Sequence, residues 1–600
     1  MVCLSAFLAD LVIGIAKQKI LKIKVWVNNQ EILTTYCSNS KKLLYSQLMI
    51  RAILKNGSRI FSQRQSNIFS AAAILAATFS LSALLGILRD RLLYARFYAC
   101  CASALDAYNA AFRIPDIIFR LLVIGALSAA FIPIFSQQFV RSKAEAYRTA
   151  SAVINILSLV FLFFTFWVMI LARPLSSLIA SGFSLDQILL MSRLTRLMVL
   201  AQWFFLLSNF LTGVLQSCQR FLLPALAPIV YNLGIIFGIQ VLAQYWGIFG
   251  PALGVVIGAA LHFLIQLPLV INLGFRYSPI FSLRLVGVRK ILKLMGPRTL
   301  SLGLSEIEAT VALFLASTLP TGSLSLFYLA QRLTQFFARL FGTTIGQASL
   351  PILSREADQR HLESFRRTLI TSLLQAVYLA LPTGIILLVL RVPLVRLAYG
   401  AQEFPWRATI TTGRVVAFFA PLVVINTLSD ILIRGFYALQ DTRTPLLASM
   451  FSLGVNIVIA LWTILGLRLG VVGLALAIVV SALAQAALLL FLLLKRLSSR
   501  SVDWYQQLWQ PLTQMGLVAL LSGWVAWLLL RGLDYYVFDT SRIVGLVALT
   551  LISSSVALTI YLALTLGLGL IQAQAIFNLI RRGLGWLKPK TPLLELPPMD

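Results

Sequence analysis

A long series of apolar stretches, each long enough to cross a lipid bilayer as a helix, constrains this sequence most. A spanning helix needs about 20 apolar residues because the hydrocarbon core is about 30 Å thick. In a bilayer the backbone must satisfy its own hydrogen bonds, so the predicted fold class is an all-α polytopic membrane protein. About 14 transmembrane helices are predicted, with approximate cores at 67–88, 104–125, 150–172, 193–215, 222–244, 248–273, 299–319, 323–345, 368–390, 411–433, 445–466, 470–494, 512–531 and 543–571.

The composition excludes several other classes of protein. Hydrophobic residues make up 59% of the chain and charged residues only 12%, about half of what a soluble protein carries. Lys and Arg outnumber Asp and Glu by 50 to 20, giving a net charge of +30. A nucleic-acid-binding protein would need a polar surface for this charge, so we expect no nucleic acid partner. The five cysteines form no CxxC pair and there are two histidines, which argues against a metal site, a disulfide framework and imidazole catalysis.

Basic residues concentrate in alternate loops. One set of loops holds the basic residues between 141 and 148, 276 and 293, 355 and 367, and 495 and 500, whereas the loops near 245 and 320 hold none. The positive-inside rule places the basic loops on the cytoplasmic side of the membrane. The flank before the first helix and the tail are also basic, so both termini are predicted to be cytoplasmic. Residues 1–66 form a predicted cytoplasmic extension, and Met49 is an alternative translation start.

The two halves of the chain resemble each other at an offset of roughly 220 residues. Arg113 and Arg120 precede FIPIFS in the second helix, and Arg332 and Arg339 precede SLPILS in the eighth. LQSCQR at 215–220 similarly matches LQDTR at 439–443. Six helices per copy is an even number, so the two lobes form a parallel pseudo-twofold repeat, as in transporters with a site between lobes.

The repeat sets the predicted domain boundaries. The ranges are 67–275 for the first lobe with helices 1 to 6, 276–298 for a basic cytoplasmic linker, 299–497 for the second lobe with helices 7 to 12, 498–572 for two extra C-terminal helices, and 573–600 for a cytoplasmic tail.

The repeated arginines lie deep in the predicted membrane. Arg332 follows Ser323 by nine residues, or about 14 Å of helix, which is close to the bilayer centre. A charge at this depth costs about 2.5–3.5 kcal/mol and normally faces a cavity or a partner. With few acidic partners available, Arg113 and Arg332 predict a cationic cavity for an anionic headgroup, because guanidinium matches phosphate oxygens. Arg120 and Arg339 either line this cavity or snorkel to the cytoplasmic interface.

Two groups of acidic residues accompany the arginines. Arg89, Asp90 and Arg91 are predicted to close the first helix, and Asp106 to open the second, where the acids either order the arginines at the outer mouth or are ordinary helix-end residues. A second group, in the seventh and tenth helices, has the oxygen ligands of a sodium site or the carboxylates of a proton site. It comprises Glu306, Glu308, Asn426 and Asp430. Asp430 could instead pair with Arg434 one turn on.

Several motifs resemble the MurJ (MviN) family of lipid II flippases, in the multidrug/oligosaccharidyl-lipid/polysaccharide exporter superfamily. They are LLGILRDRLL at 84–93, LDAYNAAFRIPDIIFRLLVIGALSAAFIPIFS at 105–136, FLLPALAPIVYNLG at 221–234, LIQLP at 264–268, MGPRTLSLGLSEIE at 295–308, GSLSLFYLAQRLTQF at 322–336 and GFYALQDTRTP at 435–445. The resemblance implies that the substrate is an undecaprenyl-pyrophosphate-linked peptidoglycan precursor, moved to the outer leaflet by alternating access. The chain would then be no enzyme, would need no cofactor beyond a coupling Na⁺ or H⁺, and would work alongside membrane lipids and the cell-wall synthesis machinery.

The same resemblance implies roles for individual residues. Arg89, Asp106, Arg332 and, one face away, Ser325 fall on positions of the family's central cavity, and Arg113 falls on a basic one. The last two helices are similar to the family's groove for the lipid tail, and Glu306, Asn426 and Asp430 are the positions considered for its sodium ion. The chain departs from the family by lacking charges at Ala83, Phe119, Ile124, Gln331 and Gln335. The predicted cavity therefore loses charges of both signs, and Arg120, Arg298 or Arg339 is expected to compensate.

Three other functions fit less well. A related exporter of drugs or of another lipid-linked polysaccharide would need fewer arginines that contact a headgroup. An enzyme acting on polyprenyl phosphates would show clustered aspartates or a catalytic histidine, which this sequence lacks. A scaffold without transport would leave the cost of the deep arginines unexplained.

Overall fold

A computed structural model describes residues 68–125, 131–358, 362–400, 403–497, 505–540 and 542–585. Within these ranges the chain is helical and contains no strand, which confirms the all-α prediction. The predicted extension at 1–66 and the end of the tail at 586–600 lie outside the described residues.

The helices follow the predicted order. The first lobe contains α1 (Ile68–Ala111), α2 (Arg113–Phe119), α3 (Ile132–Arg141), α4 (Lys143–Ile179), α5 (Leu185–Ser217), α6 (Leu222–Phe237), α7 (Ala243–Trp246), α8 (Phe249–Leu264) and α9 (Leu267–Asn272). The second contains α10 (Val286–Ser317), α11 (Ser323–Asp358), α12 (Leu362–Val389), α13 (Arg391–Tyr399), α14 (Trp406–Phe419), α15 (Leu422–Ala438), α16 (Arg443–Leu461) and α17 (Val471–Leu497). The last helices are α18 (Gln510–Tyr536), α19 (Ile543–Gly567) and α20 (Ile571–Gly585).

Ten helices in the described ranges are long and apolar enough to cross a membrane. They coincide with the predicted third to sixth and ninth to fourteenth spans. The other four predicted spans are the first, second, seventh and eighth. The second falls on the end of α1, α2 and the helical turn Arg120–Ile124, and the others fall on α1, α10 and α11; these helices carry the charged residues of the site. The total of 14 spans therefore stays a prediction.

The first helix does not close at Arg89, Asp90 and Arg91, as the sequence predicted. It continues to Cys101, whose φ of −147° and ψ of 45° break the helix inside α1. Leu93 and Tyr94 directly after the charges are buried, so the apolar face resumes. Arg89 and Asp90 have hydrogen-bond partners on other helices. Arg89 consequently lies twelve residues, about 18 Å, before the break.

The turns after α5 and α15 show the duplication in backbone detail. Gln219 and Gln440 both have a φ of 58°. The next amide in each turn donates to the carbonyl oxygen five residues earlier, from Arg220 to Leu215 and from Asp441 to Phe436, as in a Schellman motif. The structure therefore pairs Leu215 with Phe436, which corrects the predicted match of Leu215 with Leu439.

Close helix packing supports the first lobe. Gly234 on α6 and Gly238 directly after it face Gly254 and Gly258 on α8. A Cβ atom on Gly254 would lie 2.8 Å from the carbonyl oxygen of Gly234. Glycine is required because the two backbones approach directly. Helix α18 packs against α19 and against α12 of the second lobe, so the two extra helices join that lobe.

Candidate functional site

A cavity of about 490 Å³ lies between the lobes. The first lobe contributes residues of α1, α2 and α6, and the second contributes residues of α10, α11 and α17. Its charged lining residues are Arg89, Asp90, Arg113, Asp116, Arg120, Glu308 and Arg332. The predicted arginine cavity is thus present, and Tyr108, Tyr231 and Tyr328 add phenol groups to its wall.

Asp90 joins an arginine from each lobe. Its Oδ1 accepts hydrogen bonds from Arg89 Nη2 at 2.8 Å and Nε at 3.0 Å, and from Arg332 Nη1 at 3.0 Å. Arg89 also donates from Nη1 to Asn232 Oδ1 at 3.0 Å. The Asp90 side chain is 6% exposed, whereas Arg332 is 37% exposed. Arg332 therefore keeps part of its guanidinium accessible from the cavity while Asp90 holds it in place.

Glu306 forms the corresponding junction between α2 and α10. Its Oε2 lies 2.7 Å from Arg113 Nη2 and its Oε1 lies 3.3 Å from Arg120 Nη1. Arg113 also donates from Nε to Thr310 Oγ1 at 3.0 Å and from Nη2 to the Glu306 carbonyl oxygen. Arg113 is 10% exposed and Arg120 is 51% exposed. Arg113 is thus largely occupied by the protein, and Arg120 presents its guanidinium to the cavity.

Acidic partners are more numerous than the sequence indicated. The four lining arginines are paired with Asp90 or Glu306, and Asp116 and Glu308 add two further carboxylates to the cavity wall. Asp116 accepts a hydrogen bond from Gln202 Nε2 at 2.7 Å. The lining nevertheless holds four arginines against three acids, so an excess of positive charge remains. Asp116 was missed, although an acid inside an apolar segment three residues after Arg113 is itself a signal of a buried site.

Asp106 and Ser325 do not line this cavity, which corrects their predicted role. Both are buried, and Asp106 accepts hydrogen bonds from Gly322 N at 2.6 Å, Ser325 N at 2.9 Å and Ser325 Oγ at 2.6 Å. Asp106 thereby caps the first turn of α11 from the other lobe, where the helix dipole favours an anion. Asn109 Nδ2 donates to Ser325 Oγ at 3.1 Å. The contact between Asp106 and Ser325 therefore holds the two lobes together.

The predicted set of cation ligands is not assembled. Glu306 is occupied by two arginines, whereas Asn426 lines a separate cavity of about 210 Å³ together with Glu308. Asp430 lies four residues after Asn426 on α15 and is not among the residues lining that cavity. No group of three or more His, Cys, Asp or Glu residues fit to hold a metal occurs in the described ranges. The inclusion of Glu306 in a cation site is therefore corrected.

A smaller cavity of about 300 Å³ lies between α1 and α11 and shares Arg89, Asp90 and Arg332 with the central one. Ala83 lines this smaller cavity, and Gln331 and Gln335 line the central one, so these departures from the family fall where charges would face the site. The side chains of Arg298 and Arg339 lie outside the described residues.

The arrangement of arginines in the cavity has the chemistry of a phosphate-binding site. Guanidinium groups bind phosphate oxygens through two parallel N–H donors, and Arg332 and Arg120 are the two most exposed of the four. Arg89 and Arg113 are more buried and hold the acids in place. An anion entering the cavity would compete with Asp90 and Glu306 for the exposed groups.

Comparisons with known proteins show which family the chain resembles. A family model described as lipid II flippase MurJ matches residues 50–546. A probable lipid II flippase MurJ of Bdellovibrio bacteriovorus is 31% identical over 441 residues, covering 72% of this chain and 83% of that protein. A solved lipid II flippase MurJ in an inward closed conformation is similar with a TM-score of 0.68 at 23% identity, covering 82% of this chain and 98% of the other. An inward-facing multidrug transporter of the MATE family is similar with a TM-score of 0.58 at 15% identity, covering 70% and 96%.

Proposed function

Because this chain belongs to the MurJ family of lipid II flippases, we propose that Arg332 and Arg120 bind the pyrophosphate of lipid II in the central cavity. The protein is a transporter and not an enzyme. It moves the undecaprenyl-pyrophosphate-linked peptidoglycan precursor from the inner to the outer leaflet of the bacterial cytoplasmic membrane by alternating access. Its activity serves cell wall biosynthesis.

One observation carries the proposal for the arginines. The exposed guanidinium groups of Arg332 and Arg120 each bind a carboxylate and also remain accessible from the cavity. Arg332, for example, binds Asp90 of the other lobe at 3.0 Å. Phosphate oxygens make strong, charge-assisted hydrogen bonds with arginine. A pyrophosphate can therefore exchange places with the carboxylates without leaving a buried charge unpaired, which would be costly.

In the proposed cycle the headgroup enters between α1 and α11, where Arg89, Asp90 and Arg332 line both cavities. The Asp106 cap on α11 keeps the opposite end closed during entry. Pyrophosphate binding weakens the bonds of Arg332 to Asp90 and of Arg120 to Glu306, and the lobes then rock apart. Outward movement of negative charge is favoured by about 2.3 kcal/mol per charge for each 100 mV of an inside-negative potential.

The lipid tail stays in the membrane along α18 and α19. This part of the proposal rests on the family resemblance and on the packing of the two extra helices against α12. A cytoplasmic position of both termini rests on the basic loops, and reporter fusions at either end would test it. Contact with the cell-wall synthesis machinery is a further part of the proposal, testable by crosslinking in cells.

A coupling sodium ion or proton belongs to the cavity of Glu308 and Asn426. This cavity is lined by a single carboxylate and several amides, including Gln331 and Gln485. Oxygen atoms of this kind are ligands for a hard cation. Glu308→Gln is expected to change the sodium or pH dependence of transport. Transport by this variant with the wild-type dependence on both ions would contradict the assignment.

The central test replaces the flippase of a depletable bacterium with this chain, started at Met1 or at Met49, and measures lipid II translocation. Arg332→Ala is expected to reduce translocation about 10- to 100-fold, the loss of one or two charged hydrogen bonds. Arg407→Ala, at an exposed position of α14, is the matched control and should translocate like the wild type. Survival of Arg332→Ala with unreduced translocation would refute the site. An exporter of a different substrate would fail to rescue from either start despite normal expression.

A further inference from the structure

A second polar cavity lies at the end of the second lobe, away from the central one. Its volume is about 660 Å³, and it is formed by the start of α12, the start of α18 and the segment joining α19 to α20. It shares no lining residue with the central cavity. All three of its elements adjoin basic segments that the sequence predicts to be cytoplasmic. The cavity therefore opens at the predicted level of the inner-leaflet headgroups.

The polar wall of this cavity consists of cations and amides. Arg366 and Arg367 on α12 face a group of glutamines. The glutamines are Gln506, Gln507, Gln510, Gln514 and Gln572. Glu363 is the one acidic lining residue, and its side chain is 89% exposed. Arginine with several amide donors is a set that fits a phosphate ester.

Arg366 provides independent evidence that this cavity binds an anion. Its side chain is only 13% exposed, and its nearest carboxylate oxygen, Glu363 Oε1, lies 3.7 Å from Nη2, which is too long for a hydrogen bond. Its Nε is buried without a partner. Within the described part of the chain its guanidinium makes no hydrogen bond, although leaving a buried charged donor unsatisfied is costly. Gln572 is also buried, at 8% exposed, while lining the same cavity.

The remaining wall is apolar. Ile370 and Leu374 on α12, together with Leu568 and Ile571 beside α19 and α20, line the cavity. Leu568 is 51% exposed and Ile571 is 75% exposed, so this wall continues onto the surface. A polar end with an apolar continuation fits an amphiphile better than a free anion.

We propose that this cavity binds the phosphate of an anionic glycerophospholipid of the inner leaflet, with Arg366 and Arg367 on the phosphate and the acyl chains along the apolar wall. The site is separate from the central cavity, so the inference does not depend on where lipid II binds. A disaccharide-peptide head is much larger than a glycerol headgroup, and this favours a phospholipid over the precursor. A bound lipid would tie α12 to α18 and α20.

The test is native mass spectrometry of the full chain in detergent, with phosphatidylglycerol, phosphatidylcholine, undecaprenyl phosphate and inorganic phosphate as separate probes. Wild type is expected to retain phosphatidylglycerol at least about tenfold more tightly than phosphatidylcholine. The double variant Arg366→Gln/Arg367→Gln is expected to lose this preference, because charged hydrogen bonds are worth about tenfold each. Arg355→Gln, an exposed arginine at the end of α11 outside the cavity, should bind like the wild type.

Two further arms keep the proposal falsifiable. Gln514→Leu retains both arginines and is expected to weaken phosphatidylglycerol binding severalfold, which gives a result even if the double variant does not fold. An unchanged preference in Gln514→Leu and in the double variant would overturn the site. Tighter binding of undecaprenyl phosphate than of phosphatidylglycerol would assign the cavity to the precursor and refute the phospholipid. Binding of inorganic phosphate as tight as that of the lipid would refute the role of the apolar wall.

Discussion

Glu306 should contribute strongly to stability through Arg113 and only weakly through Arg120. Its side chain is 4% exposed and contacts Arg113 at 2.7 Å and Arg120 at 3.3 Å, but Arg113 is 10% exposed and Arg120 is 51% exposed. Removing one partner of a buried ion pair costs about 3–5 kcal/mol. An exposed pair is worth about 0–1 kcal/mol. Glu306→Gln is therefore expected to lower the free energy of unfolding by about 3–5 kcal/mol, nearly all of it from Arg113.

Two double-mutant cycles separate the pairs. Reversible unfolding in mixed micelles, followed by tryptophan fluorescence, gives the free energy for each variant. The coupling energy of Arg113→Gln with Glu306→Gln is expected to be about 2–3 kcal/mol, and that of Arg120→Gln with Glu306→Gln below about 1 kcal/mol. Glu308→Gln is the matched control, because Glu308 makes no ion pair in the described ranges. Equal coupling energies for the two arginines would refute the assignment of Arg113 as the buried partner.

Three further predictions concern other contacts. Asp106→Asn removes the anion that accepts the amides of Gly322 and Ser325, so hydrogen exchange at the start of α11 should speed up about tenfold; unchanged exchange would argue against the cap. Gly254→Ala places a Cβ atom 2.8 Å from a carbonyl oxygen and should cost about 1–3 kcal/mol in unfolding experiments, whereas an unchanged stability would show that α8 can shift. Hydrogen bonds, first from the Thr444 amide, lower the pKa of Asp441. The ionised Asp441 side chain therefore stabilises the fold fully above the ordinary aspartate pKa of about 3.9, and this stabilisation is lost as the pH falls through the lowered pKa. The difference in melting temperature between wild type and Asp441→Asn should shrink as the pH falls.

The membrane fold and the deep arginines could be predicted because they depend on local sequence. Apolar length sets the spans, and distance from a helix end sets the depth of Arg332. The partner of each arginine depends instead on how helices from different lobes pack. Asp90 and Arg332 are separated by 242 residues along the chain, and Arg113 and Glu306 by 193. Nothing in a single sequence reports these contacts.

The error over Glu306 has a simple geometric cause. Glu306 and Glu308 are two residues apart on α10, and each residue turns a helix by about 100°, so they point to nearly opposite sides. Glu306 accordingly pairs with Arg113 and Arg120 of the first lobe, and Glu308 lines the central cavity and the separate cavity that contains Asn426. Helical geometry predicts that the two acids point to different sides of α10, but it does not show which of them pairs with the arginines.

The ion pairs between the lobes also mean that neither half of the protein has all its charge partners without the other half. Arg113 and Arg120 belong to the first lobe, but the Glu306 that accepts them belongs to the second. A homodimer of first lobes would contain four such arginines and no Glu306, at about 2.5–3.5 kcal/mol for each unmatched charge in the membrane. The duplicated halves have therefore become obligate complements. Separately expressed halves should accumulate only when both are made together, and a gene encoding one half alone should be lost.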